Sequence, residues 1–172
     1  MRYITGLDEN GKSSVLQSGG PSRTWGWQAS DAKAPHFVQR SLQPDLADQP
    51  LPEKNAMTTE LWTVRADASG VRGEDPNNYR EEPGEFSLDV PAGVLRWCIT
   101  RFGPGYASKL HFTDSIDLDI CIEGELTLVL ETDEIVLRPG DSVVLPRLMH
   151  SWRTETGGAF AYCMLSPHPL PS

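Results

Sequence analysis

Apolar and polar residues alternate through the C-terminal half of the chain. Ile116, Leu118, Ile120 and Ile122 interleave with Asp117, Asp119, Cys121 and Glu123. A period of two predicts a strand with two unlike faces. One face is aliphatic, and the other holds two carboxylates and a thiol. Val94–Phe102 is rich in β-branched and aromatic residues and predicts another strand. Leu126–Leu130 and Glu134–Leu137 flank Glu131-Thr132-Asp133 and read as a hairpin. Leu110–Thr113, Ser142–Leu145, Met149–Thr154 and Ala159–Leu165 complete the set. Gly103-Pro104-Gly105, Pro139-Gly140-Asp141 and Gly157-Gly158 supply turns. No segment carries the 3.6-residue apolar period of a helix.

The N-terminal half has a different texture. Arg2–Thr5 and Ser14–Gln17 read as short strands joined through Asp8-Glu9-Asn10-Gly11, since Asn-Gly is a strong hairpin signal. Trp25–Gln28 is a weaker strand, and Thr59–Arg65 a better one. Two long polar stretches, 30–57 and 65–91, interrupt this half. The second carries Glu74, Asp75, Glu81, Glu82, Glu85 and Asp89. Loops of that length are commonly lids or arms, or are disordered. Strands at this spacing with Gly and Pro turns point to a sandwich or small barrel. The organisation expected is one domain: residues 1–93 as strands and long loops packed on the core, 94–166 as that core, and 167–172 as a tail.

Composition agrees with this pattern. The chain has 15 glycines and 14 prolines in 172 residues. That is about a sixth of the chain, above the ~12% of average usage. The excess disfavours a helix bundle and suits short strands with tight turns. A formal net charge of −9 argues against a phosphate-backbone or anionic membrane surface as partner. The charged opening decapeptide lacks a secretory apolar core, and no run reaches membrane-spanning length. Cys98, Cys121 and Cys163 stand singly and read as reduced, buried thiols. The expectation is a soluble, cytoplasmic protein.

Candidate chemistry follows from the alternation. Residues i and i+2 share a face, which pairs His111 with Thr113, Asp117 with Asp119, and His150 with Trp152. Asp117 and Asp119 originate about 6.6 Å apart. Two such carboxylates in a low-dielectric interior repel, and one is driven toward its acid form. Asp119 then either shuttles a proton, sits solvated at the barrel end, or pairs with Arg96 or Arg101. Trp152 either floors a substrate pocket or packs in the core. Arg96, Cys98 and Thr100 share one face of Val94–Phe102, where Arg96 either clamps a substrate carboxylate or forms an exterior salt bridge. Tyr106 and Lys109 flank His111 and are candidates for a site mouth. Arg147 is placed to reach an anion at the rim. His36 and His168 fall in proline-containing loops. No phosphate loop, nucleophile elbow or dinucleotide fingerprint is present.

Residues 105–154 resemble the two sequence motifs of the cupin superfamily. The first motif, G-x5-H-x-H-x3-E-x6-G, matches Gly105, His111, Thr113, Asp117 and Gly124 in every spacing. Thr113 replaces the second His, and Asp117 replaces the Glu. The second motif, G-x5-P-x-G-x2-H-x3-N, matches Gly140 and Pro146, but the internal Gly is absent and His150 comes one residue early. Thr154 stands at the Asn position. His150-Ser151-Trp152-Arg153 is similar to the His-x-Trp-Arg of many small cupins. The segment Ile4–Ser13 and Glu60-Leu61-Trp62 resemble a single-domain cupin-2-type group, in which Thr113 and Asp117 would be group features.

The resemblance implies a single cupin-type antiparallel jelly-roll barrel with an irregular N-terminal extension. It also implies a homodimer formed by pairing exposed sheet edges, and a small organic substrate. It maps the usual metal ligands onto His111, Thr113, Asp117 and His150. A Thr hydroxyl is a poor ligand for Zn²⁺ or Fe²⁺. His111, Asp117 and His150 remain as a reduced set for one divalent ion (Zn, Fe, Mn or Ni), the alternative being a metal-free, hydrogen-bonded site. Three functions follow. The first is an acid–base lyase or isomerase with His111, Thr113, Asp117 and His150 catalytic. The second is an Fe-dependent dioxygenase. The third is a non-catalytic binding cupin.

Overall fold

The computed structural model describes residues 2–19, 23–28, 36–39, 50–65 and 90–166. All regular structure in them is β. The strands are β1 (Arg2–Leu7), β2 (Ser13–Gly19), β3 (Arg23–Gln28), β4 (His36–Gln39), β5 (Asn55–Arg65) and β6 (Val94–Phe102). They continue with β7 (His111–Phe112), β8 (Ile116–Gly124), β9 (Leu126–Leu130), β10 (Glu134–Leu137), β11 (Ser142–Pro146), β12 (Met149–Arg153) and β13 (Gly158–Leu165). No helix long and apolar enough to cross a membrane occurs among the described residues.

The strands form a two-stranded sheet β1-β2, a four-stranded sheet β10-β9-β12-β7 and a seven-stranded sheet β11-β8-β13-β6-β5-β3-β4. All pairings are antiparallel. The two larger sheets enclose one core. Leu126, Leu128 and Trp152 from the smaller sheet pack with Cys98, Phe160 and Tyr162 from the larger. Trp152 stacks on Phe160 with ring centroids 4.7 Å apart, and Phe102 stacks on Tyr106 at 4.3 Å. Stacked and tilted aromatic rings fill the space between the sheets while satisfying their quadrupoles.

The β1-β2 hairpin forms where Asn-Gly places it. Asp8 Oδ1 accepts N–H bonds from Asn10 and Lys12, and Gly11 takes the left-handed conformation at φ 73°. At the β8 terminus, Gly124 is required twice over. Its φ is 71°, and a Cβ there would lie 2.3 Å from the Gly157 carbonyl oxygen.

Several expectations need correction. The polar stretch 30–57 contains β4 and the start of β5, so His36 lies in a strand and not a loop. The expectation that N-terminal strands extend one sheet applies to β3, β4 and β5, which continue the large sheet from β6, while β1-β2 form a sheet of their own. The acidic residues of 65–91, together with His168 and the 167–172 tail, lie outside the described residues.

Candidate functional site

The site draws on the paired strands β7 and β12 of the smaller sheet and on β8 of the larger, whose Asp117 feels the charge of His111. His111 and His150 are directly opposed Cα partners across the β7/β12 pair. Their rings lie 4.5 Å apart at 55°. Each ring is fixed in the same way. The Nδ1–H of His111 donates to the Lys109 carbonyl at 2.9 Å, and that of His150 to the Leu148 carbonyl at 3.1 Å. A carbonyl can only accept, so the hydrogen sits on Nδ1 in both rings and Nε2 is left for chemistry. His150 is buried, and desolvation lowers its pKa to about 4, against a smaller raising effect of the Leu148 carbonyl. It is a neutral base at pH 7.

Asp117 begins β8 with its side chain inward and buried. Ser115 Oγ–H donates to Oδ1 at 2.5 Å, and Thr113 Oγ1–H to Oδ2 at 3.3 Å. Burial raises its pKa, while the two hydroxyls and nearby His111 pull it back. The sequence places Thr113 and Asp117 on the site, and the structure brings them into contact. Ser115 was not anticipated, because it sits two residues before Asp117 in the bend that leads into β8, outside the strand alternation.

Asp119 is buried on the same inner face. Burial, and then the adjacent Asp117, push its pKa well above the ordinary carboxylate value. Its Oδ1 has no hydrogen-bond partner among the described residues. It is therefore not solvated at the barrel end. A buried, partnerless carboxyl oxygen is costly as an anion, which favours the protonated form.

The other candidates divide. Arg96 is not an exterior residue. It faces buried Glu60 across β5/β6, with Nε 3.9 Å from Oε2. Glu60 figures in the sequence only through the Glu60-Leu61-Trp62 resemblance, and its place facing Arg96 is set by the pairing of β5 with β6, where the register shifts between Glu60 and Trp62. Cys98 is fully buried beside this pair, and burial pushes its thiol up to about 12, so it is no nucleophile. Trp152 belongs to the aromatic core through Phe160. Tyr106 also sits in the core against Phe102 and lines no mouth. Lys109 is exposed and contributes its carbonyl to His111. Arg147 is exposed at the rim, pairs with Asp114, and holds a left-handed φ of 52° where the cupin motif has its missing glycine nearby.

Nε2 atoms of two imidazoles are good divalent-metal donors, but both Asp117 oxygens are engaged by hydroxyls. Among the described residues, no three His, Cys, Asp or Glu side chains are placed so that they could hold a metal ion. His111, Asp117 and His150 thus gather at one site without forming a complete ligand set.

No family model matches the chain. A cupin-domain-containing oxidoreductase of Aspergillus ruber, fogC, is 28% identical over 162 residues, covering 91% of this chain and 65% of that protein. The phomopsin biosynthesis cluster protein D of Diaporthe leptostromiformis is 39% identical over 93 residues, covering 51% of this chain and 47% of that protein. The chain thus matches less than two thirds of the length of each. A solved RmlC-like cupin from Shewanella frigidimarina is 18% identical, with a TM-score of 0.43, over 67% of this chain and 78% of that one. The preserved spacing from Gly105 to Gly124, the opposed histidines and these relatives together support a small cupin-superfamily protein.

Proposed function

We propose that this chain is an enzyme acting on a small organic molecule by proton transfer, as a lyase or isomerase. The observation that supports it is the paired imidazoles, each pinned through Nδ1 so that Nε2 is presented, beside buried Asp117. His150, kept neutral by burial, takes a proton from a carbon next to a substrate carbonyl or from a hydroxyl. Thr113 and Ser115 hold Asp117 in place, and Asp117 faces the positive charge that develops on His111 or His150 as protons move. Asp119 in its acid form is the reserve proton donor. Return of a proton to a different atom gives an isomerisation; loss of hydroxide with a proton gives a dehydration.

The test is solvent deuterium incorporation, followed by NMR over a panel of small keto and hydroxy acids and phenolic ketones. The expected result is exchange or turnover that is lost in both His150→Ala and Asp117→Asn, with the fold intact by circular dichroism. Turnover that survives both substitutions overturns the proposal.

A second reading is an oxidoreductase, which includes the Fe-dependent dioxygenase. It is favoured by the names of relatives such as the cupin-domain-containing oxidoreductases of Aspergillus ruber and Hypocrea virens. Stoichiometric iron in the purified protein with substrate-dependent oxygen uptake would favour it over proton transfer.

A further inference from the structure

The inner face of the large sheet continues past Asp117 as a buried polar floor. Register gives its extent. Met164 and Arg96 carry one row from Asp117 on β8 to Thr63 on β5. Tyr162 and Cys98 carry the next from Asp119 to Glu60. Every one of these side chains is buried. Glu60 and Thr63 are three residues apart, and strict alternation would turn them to opposite faces. The register shift between Glu60 and Trp62 adds one residue to β5, and both then point inward.

Two atoms on this floor have no hydrogen-bond partner among the described residues, Thr63 Oγ1 and Asp119 Oδ1. Thr63 is 3% exposed and Asp119 4%. A buried polar atom left unpaired is costly, so a ligand that pairs with it gains more there than on the surface.

Charge decides which ligand that is. Three carboxyl groups, Asp117, Asp119 and Glu60, share the floor with one guanidinium, Arg96. With Asp119 in either protonation state the carboxylates outnumber the cation. A carboxylate or phosphate on a ligand therefore meets net repulsion in a medium that screens it poorly. An ammonium is disfavoured at Thr63, whose register neighbour is Arg96. A hydroxyl carries no charge, donates to the Asp119 oxygen, and can donate to or accept from Thr63. From Asp119 to Thr63 is three strand spacings, roughly 14 Å along the sheet. A ligand that reaches both carries hydroxyl groups at opposite ends of a fused-ring skeleton.

We infer that this floor is a binding subsite for an uncharged, hydroxyl-bearing compound, with Thr63 and Asp119 as its contacts and the carboxyl excess excluding anions. This deepens the proposed reading, since it needs a small organic molecule inside the barrel, but it is independent of the proton-transfer step. Of the compounds in the exchange panel, phenolic ketones fit the floor, and keto and hydroxy acids do not.

Isothermal titration calorimetry on the full chain tests it with three probes on one skeleton. Each is a naphthalene bearing, at both ends of its long axis, a hydroxyl, a carboxylate or an aminomethyl group. At neutral pH the first is uncharged, the second an anion and the third a cation. The expected result is a diol that binds at least about 10-fold more tightly than either charged probe. Thr63→Val should weaken diol binding about 5- to 10-fold, and Thr63→Ser, which keeps the hydroxyl, should restore it. Glu60→Gln, checked for folding by circular dichroism, should narrow the gap between diol and dicarboxylate; if it is unfolded, the two Thr63 variants carry the test. A dicarboxylate or diamine that binds as tightly as the diol overturns the inference. So does a diol that fails to bind at millimolar concentration, or one whose affinity is unchanged in Thr63→Val. Deuterium exchange that fails with every compound would strike the proton-transfer reading and leave the calorimetric preference standing.

Discussion

His111 and His150 stand opposite each other across β7 and β12, and each donates Nδ1–H to the carbonyl two residues before it. The same local device on two strands leaves both Nε2 atoms available, in rings 4.5 Å apart. Fixing the tautomer through the backbone needs no second-layer side chain.

Burial of His150 makes stability pH-dependent. Its folded pKa of about 4 lies below the ordinary 6.5, so the unfolded chain binds the extra proton first. Its contribution is fully present above pH 6.5 and is lost as pH falls through about 4. Denaturant melts between these values should show stability falling with acidity. The slope should be shallower in His150→Gln.

Ser115 holds Asp117 from inside the protein. Ser115→Ala removes the 2.5 Å bond and leaves a buried carboxyl oxygen short of a donor. The expected cost is about 1–3 kcal/mol in urea unfolding, with the Asp117 pKa moving further up. Asp117→Asn with Ser115→Ala should cost less than the sum of the two single changes, because they remove one interaction.

The buried Arg96–Glu60 pair should behave as a unit. Arg96→Met removes the cation that faces the buried Glu60 carboxylate and should destabilise by about 3–5 kcal/mol. Combining it with Glu60→Leu should recover most of that loss, as a double-mutant cycle in chemical denaturation would show.

Two glycines with left-handed backbones should differ sharply. Gly140, at φ 100°, has nothing within 4 Å of a Cβ, so Gly140→Ala should cost only about 1 kcal/mol of backbone strain. Gly124→Ala adds a clash with the Gly157 carbonyl oxygen at 2.3 Å and should cost clearly more, read as a larger drop in melting temperature.

Much of the barrel is legible in the sequence because strand chemistry is local. Val94–Phe102, Leu126–Leu130 and Glu134–Leu137 match β6, β9 and β10 residue for residue, since turns of Gly, Pro and Asp bound each of them. The candidate site is legible for a related reason. A period of two fixes which side chains share a face, and motif spacing fixes which strands supply them. The place of Glu60 facing Arg96 was set by strand pairing at a bulge. Ser115 was hidden because a hydroxyl next to a carboxylate is unremarkable until a turn folds it back.

The sequence by itself determined that the chain is all-β, that Asp117 and Asp119 share a face, and that His111 and His150 belong to one site. Alternation by itself could not say which face of β8 points inward, and only the motif resemblance put Asp117 in the site. Alternation is symmetric, and hydrophobicity alone would have buried Leu118 and Ile120. The tertiary structure turned the carboxylates in and the aliphatic residues out. The hydroxyls of Thr113 and Ser115 and the nearby His111 imidazole support the Asp117 carboxylate inside the barrel, and the aliphatic residues of β8 are left outside.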